Sequence, residues 1–288
     1  MMEVSYDHHG PCFAEARRQG PAPGDVAIFG VGFDGTTSFR PGARFGPDGL
    51  RAASLGLETY SPVQRADIVD DLSLVDLGNL EVGTGAAAPV VQAVRLATRD
   101  VLAAGAYPLL LGGEHSVSLG AIRAFADIYA EPVLVQIDAH ADLREHYLED
   151  PLSHACVIRR ALEVVAPERV LQVGIRSGTR GEFRELRESG RLVPPEGASL
   201  KERIDETDGP IYLTVDLDVF DPSVVPGTGT PEPGGIDWKV FEELLAAIPT
   251  SRLMAADVVE LAPGLDPTGC SAVVAAKVVR ELALKLGR

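Results

Sequence analysis

The segment Val133–Asp142, "VLVQIDAHAD", decides how the rest of the chain is read. Its first half, Val133 to Ile137, is apolar apart from Gln136. That is the pattern of a strand covered on both faces, as in a parallel sheet. The run then breaks into Asp138, His140 and Asp142, each two residues from the next. In extended chain, alternate residues share a side, so these three side chains point the same way. A lone Asp or His at a strand end commonly serves as a cap or a loop hydrogen-bonding group. Three in alternation do not fit that reading, because carboxylates held together repel. A bound cation removes the penalty.

The same alternation of short apolar runs and longer amphipathic stretches extends along the chain. Strand candidates are residues 26–31, 107–112, 132–138, 170–175, 211–217 and 252–260. Helix candidates are "APVVQAVRLATRDVLAAG", "SVSLGAIRAFADIYA", "DWKVFEELLAAI" and "TGCSAVVAAKVVRELALKL". Strands alternating with helices through right-handed crossovers build an open, doubly wound α/β sheet that is mostly parallel. No internal repeat, low-complexity tract or linker interrupts the pattern, so residues 1–288 are read as one domain. The Gly- and Pro-rich pieces 33–49 and 221–235 read as long ordered loops, which in compact domains are usually functional.

Composition narrows the partners. Lys and Arg number 26 against 42 Asp and Glu, a net charge of −16, which disfavours nucleic acid and anionic membrane; it serves solubility first and would also draw a small cationic ligand. No window approaches the length and apolarity of a membrane span. The N-terminus carries Glu3, Asp7, His8 and His9 where a secretory signal needs an apolar run. Three cysteines without close spacing, Cys12, Cys156 and Cys270, suit reduced thiols in a cytoplasm.

Two further segments repeat the grammar of the first. "LLLGGEHS" delivers His115 just beyond a strand, and "YLTVDLDVFDP" carries Asp216 and Asp218 two residues apart. In an open α/β sheet, ligands bind outside the carboxyl ends of the strands, and all three groups fall there. Four carboxylates and two histidines exceed what one tetrahedral zinc takes. They suit two divalent cations sharing carboxylate bridges. Oxygen-rich ligation with imidazole and no thiolate points to manganese before zinc or iron. No basic residue lies inside either acidic motif; Arg144, just past the first, is placed to balance its charge.

Taken together, "DGTTSFRPGARFGP" (34–47), "GGEHS" (112–116), "DAHAD" (138–142), "VDLDVFDP" (215–222), "PGTGTPEPGG" (226–235) and "VVELAP" (258–263) resemble the ureohydrolase family of arginases and agmatinases. The resemblance spans nearly the whole chain and implies a three-layer α/β/α sandwich. It implies two Mn2+ per chain, one held by His115, Asp138, Asp142 and Asp216 and the other by Asp138, His140, Asp216 and Asp218, with Asp138 and Asp216 as bridges. It implies a homo-oligomer, trimer or hexamer.

A guanidinium carbon is a poor electrophile, so its hydrolysis needs a strong nucleophile at neutral pH, which metals provide by lowering the pKa of water. The departing amine needs a proton. By the resemblance, Asp142 doubles as ligand and proton shuttle, His154 sits beside the substrate and relays protons, and Glu260 pairs with the guanidinium. Phe33, Asp34, Thr36 and the stretch Thr228 to Pro233 are candidates for shaping the pocket.

The segment after the first motif, "LREHYLEDPLSHA", lacks the Asn-, Ser- and Thr-rich loop with which arginases hold a carboxylate. Its Glu145, Glu149 and Asp150 favour an amine tail. The expected reaction is therefore hydrolysis of agmatine to putrescine and urea. An aminopropyl-extended agmatine fits equally well; guanidinobutyrate and arginine fit less well. A single-zinc deacetylase would leave His115 and the 216/218 pair without purpose, and a non-catalytic guanidine or polyamine sensor would not keep every ligand.

Overall fold

The computed structural model describes residues 4–287. Its strands are β1 (Tyr6–Asp7), β2 (Val26–Gly30), β3 (Tyr60–Ser61), β4 (Ala66–Asp67), β5 (Leu74–Leu80), β6 (Tyr107–Leu111), β7 (Val133–Ile137), β8 (Val170–Val173), β9 (Leu192–Val193), β10 (Ile211–Asp216) and β11 (Leu253–Val259). Its helices are α1 (Gly46–Ser54), α2 (Ala87–Ala103), α3 (Ser118–Ile128), α4 (Val157–Ala161), α5 (Arg180–Ser189), α6 (Gly197–Asp205), α7 (Trp238–Ala247) and α8 (Cys270–Leu286).

Among the described residues, nine strands form one sheet in the order β1-β5-β2-β6-β11-β10-β7-β8-β9, and β3 with β4 form a separate hairpin. Only the short β1 runs antiparallel to its neighbour in the large sheet. Alternation along each strand divides the core between two faces. Val133, Val135 and Ile137 of β7 share one cluster with Leu50 of α1, Leu200 of α6, Phe241 of α7 and Val279 of α8. Leu134 of the same strand lies in the other cluster, with Val94 of α2, Phe125 of α3, Ile158 of α4 and Leu186 of α5. Helices on both faces of a mostly parallel sheet make the expected three-layer sandwich.

All six expected strands and four expected helices are present within a residue or two of their limits. Corrections fall where polarity hides the element. Residues 46–54, partly assigned to a loop, form α1, opened by Pro47 in its first turn. Strand β5 (LVDLGNL) lies inside the large sheet although it carries Asp76 and Asn79. Asp76 is fully buried and is held by Arg51 of α1, whose Nε and one terminal nitrogen donate to its two oxygens at 2.8 Å each. The amides of Phe13 and Gly78 add bonds of 2.8 and 2.9 Å.

Register places the chemistry. Val215 of β10 pairs with Ile137 of β7 and with Val258 of β11, and Val258 pairs with Leu111 of β6. The carboxyl ends of these four adjacent strands are therefore level. The residues at or just past these ends, Gly112, Asp138, Asp216 and Glu260, share one rim. Close packing there depends on Gly113, because a Cβ at that position would meet the Phe33 carbonyl oxygen at 1.9 Å.

Burial by itself would raise the Asp76 carboxyl, but the bonds and charge of Arg51 and the two amides hold it below the ordinary value. Its stabilising effect is thus complete above the unfolded-chain value near 4 and is lost as pH falls through the lower folded value. Arg51→Met is expected to cost about 3–5 kcal/mol at pH 7, since it strands a buried carboxylate. It should also move the acid-unfolding midpoint to higher pH. Urea titrations and a pH-melting series would check both, and an Arg51→Met protein as stable as wild type would refute the assigned role of this pair.

Candidate metal centre

Each candidate ligand takes its position from the end of a parallel strand. Beyond β6 the chain turns through Gly112 and Gly113 into a short 3-10 turn, His115–Val117, that carries His115 inward. Beyond β7 the extended chain carries Asp138 and His140, and Asp142 follows with a left-handed backbone (φ 51°). At the end of β10, Asp216 caps the 3-10 turn Leu217–Val219 by accepting the Asp218 amide at 2.9 Å.

The six side chains converge as expected. His115 Nδ1 lies 3.1 Å from Asp138 Oδ2, 3.1 Å from Asp142 Oδ2 and 3.3 Å from Asp216 Oδ2. His140 Nδ1 lies 2.9 Å from Asp218 Oδ2 and 3.7 Å from Asp138 Oδ1. Among the described residues, two groups place their ligand atoms close enough together to hold a cation. One is His115, Asp138 and Asp142; the other is Asp138, His140 and Asp218. Asp138 belongs to both, one oxygen turned to each. Asp216 belongs to neither group; its Oδ2 lies 3.3 Å from His115 Nδ1, beside the first, and its Oδ1 accepts the amide of Asp218, a member of the second.

Electrostatics show what the site lacks. Burial, then the charge of Asp138, pushes Asp142 up to about 6. Burial, then Asp218 and Asp138, pushes Asp216 well above the carboxylate range. Burial alone would lower His140, but the charge of Asp218 carries it up to about 11. Three carboxylate oxygens lie 3.1–3.3 Å away, yet buried His115 Nδ1 makes no hydrogen bond. An orphaned imidazole nitrogen beside converging carboxylates is what a divalent cation would satisfy. The donor set, oxygen with imidazole and no thiolate, fits hard divalent metals. The residues therefore fit a metal pair, and the second group leaves a one-metal deacetylase site without support.

Glu260, beyond β11, is buried and left-handed (φ 67°). Its Oε1 accepts the His115 amide at 2.8 Å. Burial, then the charge of Glu114, pushes its carboxyl up to about 8. His154 opens the 3-10 turn His154–Cys156 with Nδ1 3.3 Å from Thr36 Oγ1 and Nε2 3.2 Å from Ser38 Oγ. Burial, then the charge of His115, lowers it to about 4, so it is neutral at neutral pH. Both side chains line a cavity of ≈ 250 Å³ that also reaches His115, His140, Asp142, Asp216 and Asp218.

Several expectations about the rim are corrected. Arg144 makes no ion pair with the acidic motif; its guanidinium stacks on Tyr147, 4.7 Å from the ring centroid, at the cavity wall. Glu145 pairs with Arg159 and Arg160, and neither it nor Glu149 nor Asp150 lines the cavity. The acid from outside the ligand motifs that lines the cavity with Glu260 is Glu182, which accepts the amides of Leu143 and Thr179. Of the first-loop candidates, Phe33 is buried in the core, Asp34 pairs with Arg44, and Thr36 binds Glu114; the loop residue that reaches the cavity is Ser38. In the stretch 228–233, Thr230 reaches it and donates to Asp218 at 3.2 Å.

Sequence reading also passed over two buried supports. Glu114 accepts the Thr36 amide at 2.8 Å and the hydroxyls of Thr36 and Ser116 at 2.5 Å each, anchoring the 33–49 loop under the site. Gln136 donates to Asp138 Oδ2 at 2.6 Å. Its polarity within an otherwise apolar strand was the available signal.

Comparison with known proteins agrees with this geometry. A family model described as "Arginase family" matches residues 24–285. The agmatinase of Halalkalibacterium halodurans is 41% identical over 264 residues, covering 90% of this chain and 91% of its own. The N(1)-aminopropylagmatine ureohydrolase of Thermococcus kodakarensis is 38% identical over 263 residues, covering 88% of each. The crystal structure of the agmatine ureohydrolase of Thermoplasma volcanium superposes with a TM-score of 0.85 at 30% identity, covering 95% of this chain and 93% of that one.

Because the metal-free site holds raised carboxyls and protonated imidazoles, cation loading must displace protons. Titrating metal-free protein with Mn2+ at pH 7 should release protons, and affinity should fall as pH is lowered. Calorimetry in buffers of different ionisation enthalpy reads this directly. A buffer-independent heat, with no proton release, would contradict the arrangement.

Proposed function

This chain belongs to the arginase family and is a ureohydrolase acting on a guanidino compound, and on that premise we propose that its substrate is agmatine, split into putrescine and urea with two Mn2+ bound. The observation that carries the reading is the single rim on which both candidate metal groups and Glu260 face one cavity. With the charges of Asp142, Asp216 and Asp218 balanced by bound divalent cations, the cavity wall keeps Glu182 and Glu260 against one guanidinium, Arg144. That balance favours a cationic substrate over one with an anionic tail.

His115, Asp138, Asp142 and Asp216 would hold one metal, and Asp138, His140, Asp216 and Asp218 the other. Once bound, the metals would supply a water acidic enough to attack at neutral pH. The positive charge of a bound guanidinium favours the ionised form of Glu260, which then accepts its N–H bonds and orients its carbon. Burial excludes water around this pair and strengthens it. Asp142 takes a proton from the attacking water and returns it to the departing amine. Neutral His154, bonded to Ser38 at the wall, exchanges protons between cavity and solvent.

No helix among the described residues is long and apolar enough to cross a membrane. A cytoplasmic homo-oligomer, trimer or hexamer, with neither nucleic acid nor membrane as partner, is part of the same proposal. The aminopropyl-extended substrate named for the Thermococcus kodakarensis relative is the second reading, distinguished from agmatine only by tail length.

A urea-release assay on Mn2+-loaded protein with agmatine, aminopropylagmatine, guanidinobutyrate and arginine tests the assignment. Agmatine should give the highest kcat/KM; a preference for either substrate bearing a carboxylate would overturn it. Glu260→Gln should lower kcat/KM for agmatine about 100-fold, the equivalent of one or two charge-assisted bonds. Unchanged turnover would remove Glu260 from the guanidinium site. Asp138→Asn should abolish turnover while the protein remains folded by circular dichroism.

A further inference from the structure

The two ring nitrogens of His115 have different surroundings. Nδ1 faces Asp138, Asp142 and Asp216 without a hydrogen bond. Nε2 faces away from them, 2.9 Å from Thr214 Oγ1. Thr214 is fully buried in the middle of β10 and is level with Asp257 on β11. Its hydroxyl donates to Asp257 Oδ1 at 2.6 Å, and the Tyr212 hydroxyl donates to Asp257 Oδ2 at 2.6 Å.

Asp257 is a carboxylate with no exposure and no Lys, Arg or His ion-pair partner among the described residues. Burying such a group against neutral hydroxyls costs free energy that a pair of apolar residues would not. Its geometry assigns the protons nearby. Each Asp257 oxygen already receives a donor, so the carboxylate is an acceptor on both sides. Thr214 has one proton and gives it to Asp257, so towards His115 it presents a lone pair. The Thr214 contact is therefore satisfied only when His115 donates from Nε2. A neutral ring then carries its bare lone pair on Nδ1, facing the carboxylates.

We propose that Asp257 and Thr214 are positioning residues that lock His115 in the Nε2–H tautomer and aim Nδ1 at a divalent cation in the His115, Asp138 and Asp142 group. This rests on the reading of His115 as a metal ligand. Metal-ligating histidines generally need their second nitrogen fixed in this way, and loss of the fixing group costs about 10–100-fold in metal affinity. Here the carboxylate acts through a hydroxyl from the neighbouring strand, so the ring is oriented by β10 and β11 and not by the loop that carries it. Tyr212 completes the carboxylate's bonding without touching the ring.

The test is Mn2+ binding by equilibrium dialysis with metal analysis, comparing wild type, Thr214→Val, Thr214→Ser, Tyr212→Phe and His115→Asn. Thr214→Val, which keeps the shape and removes the hydroxyl, should weaken one of two bound ions about 10–100-fold. Thr214→Ser should restore it, and Tyr212→Phe should have the smaller effect. A cluster that merely joined the two strands would instead lower the metal-free unfolding midpoint equally in Thr214→Val and Tyr212→Phe and leave affinity alone; that result overturns the proposal.

His115→Asn separates the two levels of inference. If it binds both ions as wild type does, His115 is no ligand and the premise falls with the proposal. If it loses an ion while Thr214→Val does not, only the positioning role falls. Should Thr214→Val fail to fold, the imidazole 15N shifts of the wild-type Zn2+-loaded protein read the tautomer directly. His115 is expected to be protonated at Nε2 and bare at Nδ1, and a proton on Nδ1 would overturn the assignment.

Discussion

The structure depends on a crowding of buried negative charge. Asp138, Asp142, Asp216 and Asp218 are all buried on one sheet rim, with Glu260 beside them. Isolated carboxylates in such a place protonate or draw in a counter-charge. The chain supplies two histidines and no Lys or Arg to the cluster. Arg144, the nearest candidate, stacks on a tyrosine ring and leaves the deficit standing. The fold thus maintains a local imbalance that bound protons offset and that a small, highly charged cation would relieve in their place. The stability needed to maintain it comes from the two apolar layers on either side of the sheet.

A parallel sheet suits this purpose for a geometric reason. Four adjacent strands end at the same height, so residues distant in sequence arrive in a plane set by backbone hydrogen bonds and not by loop conformation. Support continues below the rim. Gln136 holds Asp138 and accepts in turn from Gln172 on the neighbouring strand at 2.7 Å. Glu114 ties down the loop that brings Ser38 to the cavity through Thr36. Such polar residues inside a core are costly, and their concentration beneath one rim marks where position matters more than burial.

Legibility in the sequence followed polarity. Strands β2, β6, β7, β8, β10 and β11 were readable because both faces are covered and their composition is almost purely apolar. The convergence of His115, the 138–142 triplet and the 216/218 pair followed from parallel topology alone. Strand β5 was not readable, because the partner that makes Asp76 tolerable, Arg51, lies on a helix 25 residues earlier. Helix α5, with a capping box between Thr179 and Glu182, was obscured by its many charges. Side-chain direction was the other blind spot. Glu145 and Arg144 are adjacent in sequence, yet one turns outward to Arg159 and Arg160 while the other forms the cavity wall. Charge near a motif in sequence was therefore a poor guide to charge facing the site.

Glu260 shows how scaffold and chemistry share one residue. Its backbone is left-handed, which costs a non-glycine residue about 1–2 kcal/mol. The conformation lets its amide donate to the Gly113 carbonyl at 2.8 Å while its Oε1 accepts the His115 amide at 2.8 Å. This reciprocal pair clamps the end of β11 to the turn beyond β6. The side chain held in that clamp is the one facing the cavity, and a carboxylate keeps further lone pairs after accepting one amide. The group that would orient the guanidinium is thus fixed to the backbone of the residue that would hold a metal. Substrate carbon and metal would thereby be referenced to the same few bonds, a tighter constraint than either loop could impose alone and one that would account for the strain tolerated at this position.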